Sequence, residues 1–194
     1  MIEFTIKRLH QNEQDETRIY HVFNRDGGLR LVADYGSPWL PEESNRFVRF
    51  ARPNGKTIAT MDLAATPVKT MGGRHSQDYA IVVDHAVYAI FSEYHVTDDD
   101  EHRLYFVLRV GEKMWLALRE EYGEAYYTIY NQVPSSFISR SVEPMFSDLP
   151  EPDGQIEKGM RQFDYAITWH EESFKHPATV TAALIFLIDR QGDG

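Results

Sequence analysis

Residues 177–188 read PATVTAALIFLI, a stretch with no charged side chain and only two polar ones, Thr179 and Thr181. A helix at the surface of a protein shows a polar face, whereas a helix that is apolar all round is buried on every side. Pro177 suits the first helical turn, where its missing N–H costs nothing. The pattern therefore predicts a short buried helix of about 18 Å, too short to cross a bilayer.

A buried β-strand is the alternative for this stretch, because its β-branched and aromatic residues also favour sheets. The length of the stretch, its proline at the start and its three alanines favour the helix. Charged residues flank it on both sides. We expect Lys175 and His176 before it, and Asp189 and Arg190 after it, to mark where the chain meets water.

Most of the remaining chain predicts short strands separated by turn residues. Pro53-Asn54-Gly55 joins strands at 47–52 and 56–61, and Asn-Gly supplies the positive φ angles of a tight β-turn. Further hairpins are predicted at 20–34, 79–91 and 104–118, with single strands at 125–130 and 163–169. Strands that follow one another without helical patterns between them indicate an antiparallel meander rather than βαβ units.

The length of 194 residues indicates one domain spanning 1–194. Two proline-rich stretches, 36–45 and 131–160, predict long loops. Apolar residues in the second indicate that it packs on the body of the protein, and loops of this length are often functional. An insertion without a ligand is the alternative interpretation of 131–160.

Composition narrows the possible partners and the cellular location. The formal net charge is -10, so nucleic acid is an unlikely partner. Cysteine is absent, which excludes disulfides and thiolate chemistry and suits a cytoplasmic protein. The N-terminus lacks the apolar region of a signal peptide, and no transmembrane segment is expected.

The acidic and histidine-rich stretches do not predict a metal site. His170 and His176 are six residues apart, so one helical face would not carry both, and with Glu171 and Glu172 they indicate a polar connection. The stretch 98–101 reads DDDE but lacks the spacing and glycine of a calcium-binding loop. We assign no metal ligand, no cofactor and no catalytic residue from the sequence.

Strand–turn–glycine–strand units in series, ending in an apolar helix followed by an aspartate, resemble the tubby-like C-terminal superfamily. That superfamily includes the LURP-one-related proteins and the phospholipid scramblases. The residues that carry the resemblance are 54–59 (NGKTIA), the hairpin at 20–31, and 182–189. The resemblance implies a mainly β (α+β) fold, a closed antiparallel barrel of about twelve strands around a C-terminal hydrophobic helix. It does not imply scramblase activity, since this chain has no cysteine cluster.

Three functions remain open. The first is a non-catalytic binding module for a protein partner or an anionic lipid headgroup. The resemblance makes the basic residues Arg46, Arg49, Arg52 and Lys56 the expected contact for such a headgroup. Strand alternation places Arg49 opposite Arg46 and Arg52, so these charges could instead be ordinary strand-edge residues.

The second function is a lipocalin-like carrier of a small apolar molecule, with an open barrel mouth covered by the proline-rich loop. The third is an enzyme that uses His85, His95 and Glu93, for which composition is the only support. No nucleophile motif and no phosphate- or dinucleotide-binding glycine loop occurs in the sequence.

Overall fold

The computed structural model describes residues 1–9, 18–36, 47–63, 67–69, 75–98, 101–119, 126–139, 144, 146–159 and 164–192. The described chain is mainly β-strand, with a long helix at its end. The strands are β1 (Ile2–Leu9), β2 (Arg18–Asn24), β3 (Leu29–Tyr35), β4 (Phe47–Ala51), β5 (Thr57–Asp62), β6 (Pro67–Lys69), β7 (His75–Val83), β8 (Ala86–Asp98), β9 (Glu101–Val110), β10 (Lys113–Arg119), β11 (Tyr127–Tyr130), β12 (Gly154–Lys158) and β13 (Asp164–Trp169). Among the described residues the helices are α1 (Ser135–Ile138) and α2 (Pro177–Gly192), and a 3-10 turn lies at Phe146–Asp148.

The strands form a closed antiparallel barrel of twelve strands, which confirms the predicted fold class. The hydrogen-bonded order is β5-β4-β3-β2-β1-β13-β12-β11-β10-β9-β8-β7. Pairing of β5 with β7, from Ala59 opposite Val83 to Met61 opposite Ile81, closes the ring. The short strand β6 pairs with the first residues of β7, from His75 to Gln77, while β5 pairs with its last residues. Neighbours in the barrel are mostly neighbours in sequence, so the chain is a meander.

The predicted hairpins are present because each turn meets the backbone requirement of a tight connection. Gly55 has φ of +81°, the left-handed conformation that Asn-Gly was expected to supply between β4 and β5. The β7–β8 turn reaches the same conformation without glycine, since Asp84 has φ of 47° and His85 has φ of 65°. Alternation along the strands then directs one set of side chains inward. Ile2 and Ile6 of β1 show this, at 8% and 0% exposure.

Helix α2 fills the barrel and is buried on all sides, as predicted from its sequence. It starts at Pro177, and from residue 179 to residue 189 every side chain is at most 2% exposed. The Phe186 ring packs edge-on against Tyr20 and Tyr35, with ring centroids 6.0 and 5.5 Å away. The helix has 16 residues and ends at Gly192, one turn beyond the predicted end.

The prediction that Asp189 meets water is wrong. Its residue exposure is only 2%. The hydroxyls of Tyr20 and Tyr165 donate hydrogen bonds to its carboxylate in place of water. The Tyr20 hydroxyl lies 2.7 Å from Oδ2. A buried carboxylate is tolerated where such donors replace water. The helix can therefore continue past the end of its apolar stretch.

The prediction of a continuous loop at 131–160 is wrong in part, because β12 lies within it. Only Ile156 of β12 is buried, and one inward residue gives almost no period-2 signal in a sequence. The earlier part of the stretch covers the outer face of the barrel. Phe137 is fully buried there against Tyr105, whose hydroxyl donates to the Phe137 carbonyl at 2.9 Å. Most of the other predicted loop, 37–45, lies outside the described residues.

Candidate functional site

The two mouths of the barrel differ in how they are filled. We call the mouth at the C-terminal end of α2 the closed mouth and the one at its N-terminal end the open mouth. Inward-facing tyrosines at the closed mouth are at most 3% exposed: Tyr20, Tyr79, Tyr127 and Tyr165. Burial raises the pKa of each of these hydroxyls well above its ordinary value of 10. All four hydroxyls are therefore neutral, and those of Tyr20, Tyr79 and Tyr165 donate hydrogen bonds to buried carboxylates.

Glu93 is the second buried carboxylate at the closed mouth, with a side chain that is 1% exposed. The Tyr79 hydroxyl donates to its Oε2 at 3.0 Å, and the Gln191 side chain donates to its Oε1 at 2.5 Å. His95 also contacts Oε1 through Nε2. The guanidinium of Arg190 lies 5.4 Å from the Tyr79 ring centroid. These contacts attach the last turn of α2 to β7 and β8.

The open mouth is filled on one side only. Trp115 of β10 and Trp169 of β13 meet edge-on with their ring centroids 6.0 Å apart. Phe174 packs against both, at 4.7 and 4.9 Å. This aromatic cluster seals the barrel beside β10 and β13. Trp115 and Trp169 are both buried, at 2% and 1% exposure.

The other side of the open mouth holds a cleft of about 580 Å³. Its walls come from the start of β1, the β2–β3 and β4–β5 hairpins and the first turn of α2. The residues that line it are Phe4, Asn24, Leu29, Arg30, Leu31, Arg52, Pro53, Ile58, Lys175, His176, Pro177, Ala178 and Thr179. Three of them are cationic, and none of these lining residues is a carboxylate. The lining of the cleft therefore carries a net positive charge, whereas the whole chain has a net charge of -10.

The three cationic residues are Arg30, Arg52 and Lys175, and all are exposed. Among the residues that the structure describes, no carboxylate forms an ion pair with any of them. Charges of one sign that share a cleft repel one another, and the low-dielectric walls strengthen the field between them. An anion placed among them would relieve that repulsion.

Hydrogen bonds of the backbone fix the chain at two of the three cationic residues, Arg52 and Lys175. The Arg52 N–H donates to the Lys56 carbonyl at 2.9 Å, and the Gly55 N–H donates to the Arg52 carbonyl at 2.8 Å, which closes the hairpin turn. The backbone N–H of Lys175 donates to the Tyr88 hydroxyl at 3.0 Å. The Tyr88 ring also packs edge-on against His176, with centroids 5.0 Å apart. The segment before α2 is thereby fixed against β8.

The structure divides the basic cluster that was predicted from the sequence. Arg52 lines the cleft, while the guanidinium of Arg49 pairs with Asp34 at 3.0 Å. Lys56 is exposed on the turn, and Arg46 lies outside the described residues. Arg30 and Lys175 complete the cleft, and they were missed because neither is near Arg52 in the sequence. The signals that the sequence offered were the position of Arg30 just after a glycine turn and that of Lys175 just before the start of the helix.

The stretch from His170 to His176 is a polar connection with separate contacts. The His170 N–H donates to the Asp153 carbonyl, and Glu172 pairs with the Met1 ammonium at 3.0 Å. Burial alone would raise the pKa of Glu171, but hydrogen bonds from Ser173 and the nearby Lys113 ammonium lower it overall. Within the described ranges, no three potential metal ligands come together. Asp99 and Asp100 fall outside those ranges, so the calcium hypothesis stays untested.

The three residues of the enzyme hypothesis do not share a site. Glu93 and His95 are in contact at the closed mouth. His85 lies ten positions earlier in the β7–β8 turn, and an extended chain of that length spans about 33 Å. Glu93 and His95 lie at the end of α2, where the Tyr79 hydroxyl and the Gln191 side chain also contact Glu93. His85 is therefore too far away to act on a molecule held there.

The fold and the cleft define a class of protein: a closed antiparallel barrel whose interior is occupied by a helix and which has a basic cleft at one mouth. No family model, curated protein or solved structure matches the chain. The resemblance to the tubby-like superfamily accordingly stays a prediction. Within the described part of the chain, no helix is long and apolar enough to span a membrane.

Proposed function

We propose that this protein is a non-catalytic binding module that takes an anionic group into the cleft at the open mouth. The observation that carries the proposal is the set of Arg30, Arg52 and Lys175 on a cleft whose lining includes no carboxylate. Phosphate and carboxylate are the groups that arginine recognises best, since its planar fork matches their oxygens. The first turn of α2 adds its partial positive charge on the same side.

The filled interior supports a site at the mouth rather than in the middle of the barrel. Between residues 179 and 189, α2 occupies the volume that a lipocalin-like carrier keeps for its ligand. A central carrier site is thus left without space in the described core. The lipocalin-like carrier stays a prediction, and the filled interior supports a site at the open mouth in preference to it.

The test is titration of the protein with inorganic phosphate, hexanoate and hexyl phosphate, followed by NMR at low and at high salt. We expect saturable, salt-sensitive shifts at the cleft in at least one titration. Arg52→Gln should weaken that binding by about 10-fold, the loss typical of one charge-assisted hydrogen bond. Arg25→Gln is the matched control, because Arg25 is 77% exposed and pairs outside the cleft with Glu3 at 3.2 Å.

Equal effects of Arg52→Gln and Arg25→Gln would overturn the proposal, as would the absence of saturable binding both to all three dissolved anions and to anionic vesicles. Vesicles of neutral phosphatidylcholine, with and without anionic phosphatidylserine, form a second arm. Binding that appears only with the anionic vesicles, and that Arg52→Gln weakens, identifies the anionic group as a lipid headgroup. Binding to the dissolved anions identifies a small molecule.

A further inference from the structure

The cleft also has an apolar wall, which an anionic group without an apolar body would not contact. Phe4, Ile58 and Ala178 pack against the core but are only partly buried, and each lines the cleft. The open mouth is therefore a place where core side chains still reach solvent.

The charged and apolar parts of the cleft lie at different depths. Arg30, Arg52 and Lys175 are exposed, whereas Leu31 on the cleft wall is 1% exposed. A molecule that enters would meet the cations at the rim and the apolar side chains below them. The volume of about 580 Å³ is far larger than one phosphate requires and lies in the range of ordinary small-molecule sites.

The surface around the cleft carries exposed charges of both signs, unlike the uniformly basic patch that docks on a membrane. Exposed cations (Arg25, Lys56 and Lys113) alternate with exposed carboxylates on the neighbouring turns and before α2: Asp26, Asp84, Glu112 and Glu172. The surface potential of an anionic bilayer would repel these carboxylates as the whole mouth approached it. A small molecule that enters the cleft avoids them, because its charge meets only the cationic residues.

We infer that the ligand is a small amphipathic anion, a carboxylate or phosphate monoester with an apolar body of several carbons. This inference rests on the proposed function. The anionic group lies among Arg30, Arg52 and Lys175, and the apolar body lies on Phe4, Leu29 and Ile58. Burial of that body on these side chains supplies affinity that increases with chain length.

The experiment measures dissociation constants for acetate, butanoate, hexanoate and octanoate, and for methyl, butyl and hexyl phosphate. Each added pair of methylenes should tighten binding by about 15-fold until the cleft is full. Hexanol, which has the chain without the charge, should bind at least about 10-fold more weakly than the preferred six-carbon anion. The vesicles described above serve as the membrane arm.

Leu29→Ser tests the apolar wall directly. It should weaken binding of the six-carbon anion by about 10-fold and leave acetate and methyl phosphate within about 2-fold. Val87→Ser is the matched control, since Val87 is 60% exposed at the same mouth and does not line the cleft. Its effect on all these ligands should stay within about 2-fold.

Failure of the inference is distinguishable from failure of the proposed function. Affinity that is independent of chain length but still reduced by Arg52→Gln would overturn the amphipathic ligand and keep the anion site. Hexanol that binds as tightly as hexanoate and hexyl phosphate would overturn the anion site itself. Binding to anionic vesicles without binding to any dissolved amphipathic anion would overturn the small-molecule assignment in favour of a membrane.

Discussion

At the scale of single residues, Asp189 joins the helix to the barrel. Its carboxylate accepts from Tyr20 of β2 and Tyr165 of β13, and Arg8 of β1 lies 3.9 Å away. A negative charge at the C-terminal end of a helix is disfavoured by the helix dipole, so the aspartate depends on these partners. Both tyrosine hydroxyls would in turn lose their acceptor if the carboxylate were removed.

We expect Asp189→Ala to lower the free energy of unfolding by about 3 kcal/mol, because it leaves buried donors without a partner. Asp189→Asn should cost less, since its amide oxygen still accepts one hydrogen bond. Urea unfolding measures both variants. Asp26→Asn on an exposed turn is the control and should stay within about 0.5 kcal/mol of the parent. A neutral result for Asp189→Ala would contradict the role given to this contact.

At the scale of elements, α2 and the hairpins follow different rules. Each hairpin depends on a few turn residues, of which Gly55 is the plainest case. Helix α2 depends on the barrel, because a helix with no polar face has no stable position in water. Its 16 residues extend about 24 Å, long enough to reach from the open mouth to the closed mouth.

Leu184 tests the burial of α2, since it lies mid-helix and is 2% exposed. Leu184→Asp places an uncompensated charge in the core and should prevent folding. Leu184→Ala leaves a cavity instead and should lower the free energy of unfolding by about 3 kcal/mol. Circular dichroism on heating measures both. A Leu184→Asp variant that melts cooperatively like the control Val87→Asp would refute the central position of the helix.

At the scale of the whole molecule, one mouth is closed by polar contacts and the other holds a cleft. The closed mouth depends on neutral tyrosines, and this makes the fold sensitive to alkali. In the folded protein the tyrosine pKa values are raised, while in the unfolded chain they stay near 10. The stabilisation is therefore complete below pH 10 and is lost as the pH rises above it.

We expect the free energy of unfolding to fall steeply above pH 10, by about 1.4 kcal/mol per pH unit for each buried tyrosine. Urea unfolding at several alkaline pH values measures the slope. Tyr127→Phe removes one contributor and should flatten the curve by that amount. Tyrosinate absorbance gives an independent readout. All four hydroxyls titrating near pH 10 in the folded protein would contradict their burial.

Some of the fold was within reach of the sequence. Alternation in IEFTIKRL at residues 2–9 is a clear strand pattern, so β1 could have been recognised along with the hairpins. In β12, Ile156 is the only buried side chain, and its sequence carries no such pattern. The cleft could not have been assembled, because Arg30, Arg52 and Lys175 become neighbours only when β3, β4 and α2 meet at one mouth.

The amino-acid sequence by itself determined that the end of this chain is a helix buried on every side and that most of the rest forms short antiparallel strands. Both features follow from local periodicity and turn chemistry, which act over a few residues. Only the tertiary structure decided that Asp189 lies inside and that one mouth is open. Those features depend on which side chains long-range closure of the barrel brings together, and local pattern does not encode them.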